Sequence, residues 1–506
     1  MKSEKATGNW VLVAATTASA MAFIDGSALN VVLPSLQRSL QATATDLIWI
    51  LNAYLLFMAS FILLGGTLGD RVGRKKVFMW GISLFMLASF ACGVAPSPVW
   101  LIASRAVQGV GAALMVPGSL AIISSYFKRE ARGQAIGTWS AVTTMVTMAG
   151  PALGGFLADL GWWRMVFFLN LPLGILALAA LYFKVPESRG EHGGKTIDWA
   201  GAGLAVVGLA GITYGFVEIP KYGWQHHRVI AAFFLGSVSM LLFLWTEARL
   251  KQPMVPLKVF QNRMFSGANL LTLLLYGALN VGLFILVLNL VQVQGYSQLQ
   301  AGLATLPFAL LLMLFSRKAG SLADRYGARW FLVAGPALVG VGFLLLGQVQ
   351  RTAGFTSYWY TYLPGVLVFG AGMALTVAPL TTTVMSAIEE NMAGTASGIN
   401  NAVSRMAGVL SIAILGSMAV AAFSQELHSG AATLLLDAST EQAVLAQANQ
   451  LGGATVPEQV PDAQREPIQQ LLDASFLKAY TLVMHLCVAL ALLASVVAAF
   501  FISSKR

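Results

Sequence analysis

Gly66-Thr-Leu-Gly-Asp70-Arg71-Val-Gly73-Arg74-Lys75-Lys76 ends one apolar run and opens the next, and Gly320-Ser-Leu-Ala-Asp324-Arg325-Tyr-Gly327-Ala-Arg329 does the same in the second half of the chain. Each copy suits a tight turn at a membrane surface. Glycine permits unusual backbone angles and close helix approach, aspartate is placed to face a helix N-terminus, and the cations suit anionic lipid. Two equivalent turns at matching places predict two related halves.

Of the 506 residues only 10% are charged and 57% are hydrophobic, with a mean hydropathy of +0.72. A soluble domain carries roughly a quarter charged residues, so water is not the main solvent of this surface. A hydrocarbon layer of ~30 Å takes about twenty apolar residues at 1.5 Å each. That rule places spans near 11–33, 47–67, 77–95, 99–125, 134–158, 166–184, 199–217, 229–246, 266–292, 299–319, 330–348, 359–385, 394–423 and 477–502. Backbone amides in lipid must be bonded within the segment, so the spans are helices and the fold class is all-α, a polytopic membrane protein of about fourteen transmembrane helices. One long hydrophilic connection, 424–475, is read as either a small cap or a mobile loop.

The net charge of +10 comes from short basic clusters between apolar runs. Most of the 31 Lys and Arg fall on one side, which predicts a multi-pass protein of the cytoplasmic (inner) membrane with both termini cytoplasmic, and argues against a nucleic-acid partner. The first run follows Lys2 and Lys5 but outlasts a signal-peptide core and holds Asp25, so it reads as an uncleaved span. Cys92 and Cys487 lie in apolar runs without metal-ligand or disulfide spacing and read as inert packing. There is no Gly-x4-Gly-Lys-Ser/Thr loop, His-Glu-x-x-His helix or Gly-x-Ser-x-Gly elbow, so direct ATP drive and hydrolysis are disfavoured. No catalysis, metal or cofactor is expected.

With the paired turns as carriers, the sequence resembles the major facilitator superfamily. Three more segments resemble its fourteen-span drug:proton antiporter branch, the multidrug and quaternary-ammonium efflux type. They are Asp25-Gly-Ser-Ala-Leu-Asn30-Val-Val-Leu-Pro34, Arg105-Ala-Val-Gln108-Gly109, and Gly137 followed by Gly150-Pro151-Ala-Leu-Gly154-Gly155, which is similar to the motif taken as the mark of antiporters. Where that motif has a further glycine, this chain has Val146. The resemblance implies two pseudo-symmetric six-helix bundles plus two inserted helices. Residues 1–190 form the N-terminal bundle, 191–262 the linker with the inserted pair, and 263–506 the C-terminal bundle with loop 424–475 on the far side.

Asp25 is the one carboxylate well inside a predicted span, and a charge there costs a contested ~3 kcal/mol or more. It sits about eight residues, or ~12 Å, below the far face; Arg105 sits about six residues, or ~9 Å, below it. A shared cavity at that depth sets burial, which favours the neutral acid, against a guanidinium, which favours the charged one: the competition that proton coupling requires. The alternative is a purely structural pair. Arg405 lies about eleven residues, or ~17 Å, into its span, too deep to snorkel, and either binds an anionic group or bonds a carbonyl. Arg317 and Lys318 are expected to snorkel, and His485 to be neutral and hydrogen-bonded.

A solute pocket is mainly apolar and aromatic with a few oriented polar groups. The candidates are Asn30, Trp49, Asn52, Gln108, Met145, Met148, Tyr276, Asn280 and Arg405. The function that follows is proton-coupled export of hydrophobic or amphipathic small molecules by alternating access. Export of one dedicated metabolite, antibiotic or lipid is the alternative, and proton-coupled uptake a third reading that Gly150-Pro151 disfavours. Protons, the lipid bilayer and the solute are the expected partners, and a monomer the expected state. A periplasmic adaptor docking on 424–475 is a further candidate.

Overall fold

The computed structural model describes residues 2–127, 129–189, 198–251, 253–389, 392–434 and 436–503. Among them every regular element is helical, and fourteen helices are long and apolar enough to cross a membrane. They are α1 Thr7–Leu40, α2 Ala44–Val72, α3 Arg74–Gly93, α4 Pro98–Tyr126, α5 Ala131–Asp159, α6 Met165–Lys184, α7 Trp199–Tyr222, α8 His227–Arg249, α9 Arg263–Val293, α10 Gln298–Tyr326, α11 Ala328–Gly347, α12 Gly354–Ser386, α13 Thr395–Thr433 and α14 Asp462–Phe501. The face where α1 begins and α14 ends is called the terminal face below.

The two halves repeat each other in detail. In the first, α2 packs on α4, α3 on α4, α1 on α5 and α6, and α3 on α6; in the second, α10 packs on α12, α11 on α12, α9 on α13 and α14, and α11 on α14. The equivalent helices α2 and α10 both start at a capping box: Thr43 with Asp46, and Ser297 with Gln300, each satisfying two otherwise free backbone amides. Close crossings rest on small residues, as expected where lipid supplies no hydrophobic drive between helices. A Cβ on Gly81 of α3 would press into the α4 backbone at Gly111, and one on Gly372 of α12 into the α11 backbone at Gly335.

The signature turns supply the link from second to third helix. Gly73 and Gly327 adopt φ of +134° and +91°, where a side chain is strained, so each helix pair breaks sharply at that residue. Asp70 makes no backbone amide bond at the start of α3 among the described residues. It pairs with Arg74 at 2.8 Å within its own turn, and Glu187, beyond the end of α6, instead accepts the α3 amides of Lys75 at 2.9 Å and Lys76 at 3.3 Å. Lys75 Nζ donates to the Val185 carbonyl past α6, and Arg329 Nη2 to the Ala499 carbonyl of α14, so the start of each third helix is tied to the end of each sixth.

The halves meet along two seams, α2 against α13 and α5 against α10. The inserted hairpin of α7 and α8 lies over the first, through α7 on both α2 and α13, and leaves the second uncovered. The domain boundary expected between 190 and 191 lies outside the described residues.

The hydrophilic connection is a folded cap. Helix α13 runs on to Thr433 and α14 begins at Asp462, so both extend through residues whose polarity hid them. Between them a short helix, Ala438–Leu445, is capped by Asp437, whose carboxyl the Ser439 and Thr440 hydroxyls hold well below the usual carboxylate range. The same hydropathy bias hid three acids at helix ends: Glu218 in α7, Glu247 in α8 and Asp473 in α14. Glu247, in the last turn of α8, is also buried and accepts the Val255 amide at 2.7 Å. His485, expected to be hydrogen-bonded, is exposed on α14 with no hydrogen bond among the described residues, while Arg317 and Lys318 are exposed near the end of α10.

Candidate functional site

Helix α1 carries Asp25 and α4 carries Arg105 and Gln108, one helical turn apart on one face. The α1–α4 contact brings the three together in a closed triangle. Arg105 Nη1 donates to Asp25 Oδ2 at 2.5 Å and to Gln108 Oε1 at 2.7 Å, and Gln108 Nε2 donates to Asp25 Oδ1 at 2.9 Å. All three side chains are buried, Asp25 at 0% and Arg105 at 1% exposure. A buried ion pair survives desolvation only when its remaining donors and acceptors are met, and here the second carboxylate oxygen is met by an amide rather than left bare.

A second layer holds the triangle in place. Arg105 Nε reaches the Ile50 carbonyl at 3.4 Å, and its guanidinium lies 4.2 Å from the centre of the Tyr54 ring, a cation–π contact. Gln108 Nε2 also reaches Ser89 Oγ at 3.4 Å; Ser89 accepts from Asn170 Nδ2 at 2.9 Å and donates to the Phe167 carbonyl at 2.9 Å. Helices α1, α2, α3, α4 and α6 are therefore joined in one network around the Asp25 carboxyl. Cys92 and Cys487 are free and buried.

Arg105 forms the wall of a cavity of about 210 Å³ between the halves, reached by Asn30, Tyr54, Thr147, Asn280 and Arg405. Asp25 is not on that wall: the guanidinium stands between it and the cavity. A second, mostly apolar cavity of about 300 Å³ adjoins the first through Ser27, Asn30 and Thr147, and runs between α5 and α10 past Met148, Pro151, Leu283, Phe308 and Leu312.

Of the pocket residues expected from the sequence, Asn30, Met148, Asn280 and Arg405 line these cavities, and Gln108 belongs to the triangle behind them. Trp49 does not: its ring faces Tyr214 of α7 at 6.3 Å, across the seam the hairpin covers. Met145 is 66% exposed and is absent from the walls of both cavities. Asn52 is fully buried outside the cavity walls, its amide atoms without a hydrogen-bond partner among the described residues. Tyr276 lies one turn before Asn280, whose Nδ2 donates to its carbonyl at 2.7 Å, and it is absent from the walls. Tyr54 and Ser89 escaped the sequence reading; a phenol four residues before Met58 in an apolar run was the available signal for the first.

On the side away from the terminal face the cavities are sealed. A Cβ on Gly155 would strike the Gln298 backbone, and one on Gly302 the Pro151 carbonyl, so the glycines of α5 and α10 let the halves touch. Gly150 and Gly154 press on α1 at Ser27 and Ala28, whereas Gly137 has open space around it and serves no packing. Asp159, at the end of α5, accepts the first amides of α10, from Gln298 at 2.8 Å and Leu299 at 3.0 Å. Gln298 also bonds Ser35 of α1. The cap closes the remaining gap: Gln37 donates to the Gln450 carbonyl at 3.0 Å and accepts from Gln292 of α9 at 2.8 Å.

Comparison with known proteins gives the following. The profile of the Major Facilitator Superfamily matches residues 15–412. The multidrug resistance protein Stp of Mycobacterium tuberculosis is 35% identical over 411 residues, 81% of this chain and 75% of its own length. The tetracenomycin C resistance and export protein of Streptomyces glaucescens is 27% identical over 493 residues, 97% of this chain and 90% of its own. Among solved structures, a bacterial homologue of the human lysosomal transporter Spinster, inward-facing and unoccupied, covers 99% of both chains with a TM-score of 0.65 at 17% identity, a likeness of fold.

Proposed function

Since the chain belongs to the major facilitator superfamily, we propose that it is a proton-coupled antiporter that exports hydrophobic or amphipathic small molecules by alternating access. The observation that carries this reading is the buried Asp25 carboxyl, joined to the wall of a central cavity through Arg105. In this reading the terminal face is cytoplasmic and the structure is the inward-facing state, loaded from the cytoplasm or the inner leaflet. The bundles are residues 1–190 and 263–506, with 191–262 carrying the inserted pair. A monomer suffices, and no catalytic step is assigned.

A proton on Asp25 removes the charge that holds Arg105, so the guanidinium and Tyr54 are freed to move against the cavity. Solute binding and proton binding then compete through one side chain, which is the requirement for exchange. Closing the cytoplasmic side and breaking the Asp159, Gln298 and Gln37 bonds on the other would release the solute outside. The paired turns and their ties to α6 and α14 keep each bundle rigid during that rocking.

Tetracenomycin C export by a relative that spans 97% of this chain favours a second reading, a dedicated exporter of one compound. Docking of a periplasmic adaptor on the cap is a proposal with no contact surface assigned.

The test is flux in proteoliposomes under an imposed proton gradient. The intact chain is expected to move a fluorescent amphiphile against its gradient, and Asp25→Asn to lose gradient-driven movement by about a hundredfold while folding normally, the scale of a lost charge-coupled step. Equal gradient-driven flux in the two proteins contradicts the reading.

A further inference from the structure

Two of the charged groups at the central cavity cancel, and a third does not. Asp25 and Arg105 are bonded to each other, and the carboxylate lies behind the guanidinium. Arg405, from α13 on the opposite side, lines the same cavity half-buried, and among the described residues no hydrogen bond or ion pair engages it. It acts electrostatically on the phenols of Tyr54 and Tyr276, which balance no charge. Among the described residues no carboxylate lines either cavity.

The space open to a solute therefore carries one uncompensated positive charge, set in low-dielectric walls that strengthen it. A guanidinium removed from water without a partner is costly, and its planar fork of donors matches a carboxylate or another delocalised anion. Next to it, across Ser27, Asn30 and Thr147, the second cavity offers an apolar lining at Met148, Leu283 and Phe308. Polar head and apolar body are thus given adjoining spaces of different character.

The geometry points to Arg405 as the head-group subsite, and to amphiphiles bearing an anionic or strongly accepting head, such as a carboxylate, phenolate or enolate, as the substrate class. The apolar body lies in the α5–α10 cavity, while quaternary ammonium compounds meet a repulsive field. This selectivity rests on the export reading for its meaning but not for its test, because binding is measured at equilibrium without any gradient.

The full chain in phosphatidylcholine nanodiscs is titrated with carboxyfluorescein, an anion on an apolar ring system, and with ethidium, a cation of similar size, by fluorescence polarisation. Carboxyfluorescein is expected to bind more tightly than ethidium. Arg405→Gln is expected to weaken carboxyfluorescein by about tenfold or more, the loss of one charge-assisted hydrogen-bonded contact, and to leave ethidium unchanged or stronger; Arg405→Lys restores part of the affinity. Tighter binding of ethidium to the intact chain, or equal weakening of both probes in Arg405→Gln, overturns the inference. Nanodiscs containing phosphatidylglycerol identify the source of the head group: competition with carboxyfluorescein there, relieved in Arg405→Gln, assigns the subsite to lipid phosphate, and absence of competition assigns it to free solutes. Selective binding without proton-driven flux would contradict the antiport reading and leave the subsite in place.

Discussion

Gln108 is the side chain that turns an ion pair into a closed unit. Its amide gives Asp25 a second hydrogen bond and gives Arg105 an acceptor, so its removal leaves buried polar atoms of two charged groups without partners. Such atoms cost about 1–3 kcal/mol each, and Gln108→Leu is expected to lower the unfolding free energy of the reconstituted protein by that amount. Cys92→Ala, which loses only a 3.6 Å thiol contact to the same amide, is the matched control and should cost less. Denaturant titration in lipid measures both, and equal stability of Gln108→Leu and the native chain would contradict the account. At this scale much of the site was legible, because a charged or amide side chain in an apolar run costs free energy and so announces itself: Asp25, Arg105, Gln108, Asn280 and Arg405 all stood out. Facing was not legible. Each pair is alike in residue type and sits in one run, so composition does not tell Trp49, which meets the hairpin, from Tyr54, or the exposed Met145 from Met148, where Tyr54 and Met148 line the cavities.

Among the elements, α5 is where the sequence motif and the structure divide the work. Gly150 and Gly154 seat α5 on α1, and Gly155 seats it on the first turn of α10, whose amides Asp159 caps. A Cβ at Gly137 would meet nothing within 4 Å among the described residues, so its place in the motif is not explained by a close approach in this state. A bulky residue at 155 cannot coexist with the sealed face, and Gly155→Leu is expected to shift the population towards the state open on that side. The measurement is labelling of Ser35→Cys, half-buried in the seal beside Gln298, with a membrane-impermeant thiol reagent; the native cysteines are both buried and give little background. Gly155→Leu should raise the labelling rate by about tenfold, a shift of ~1.4 kcal/mol, and Gly137→Leu should leave it unchanged. Equal rates in the three backgrounds would contradict the assignment of the seal. The cap above it was illegible for the opposite reason to the site: α13 and α14 continue into polar residues, and a hydropathy reading stops where the apolar run stops.

At the scale of the whole molecule, pseudo-symmetry was readable from two turns and is carried out in the packing, yet the symmetry is broken at the seams. The inserted hairpin covers α2 against α13, and no further helix among the described residues packs over α5 against α10, where the apolar cavity lies. In the proposed reading an amphiphile dissolved in the bilayer approaches by that flank, and Asp25, joined to the polar centre through Arg105, is the acid that takes the proton. The account's central claim is that solute and proton exclude each other through Asp25. It is tested most directly by adding a transported amphiphile to the purified protein in weakly buffered solution and following a pH indicator. The account predicts proton release on binding by the native chain, about one per site at most for a single acid, and none by Asp25→Asn that still binds the solute. Binding without proton release by the native chain, or undiminished release by Asp25→Asn, would contradict it.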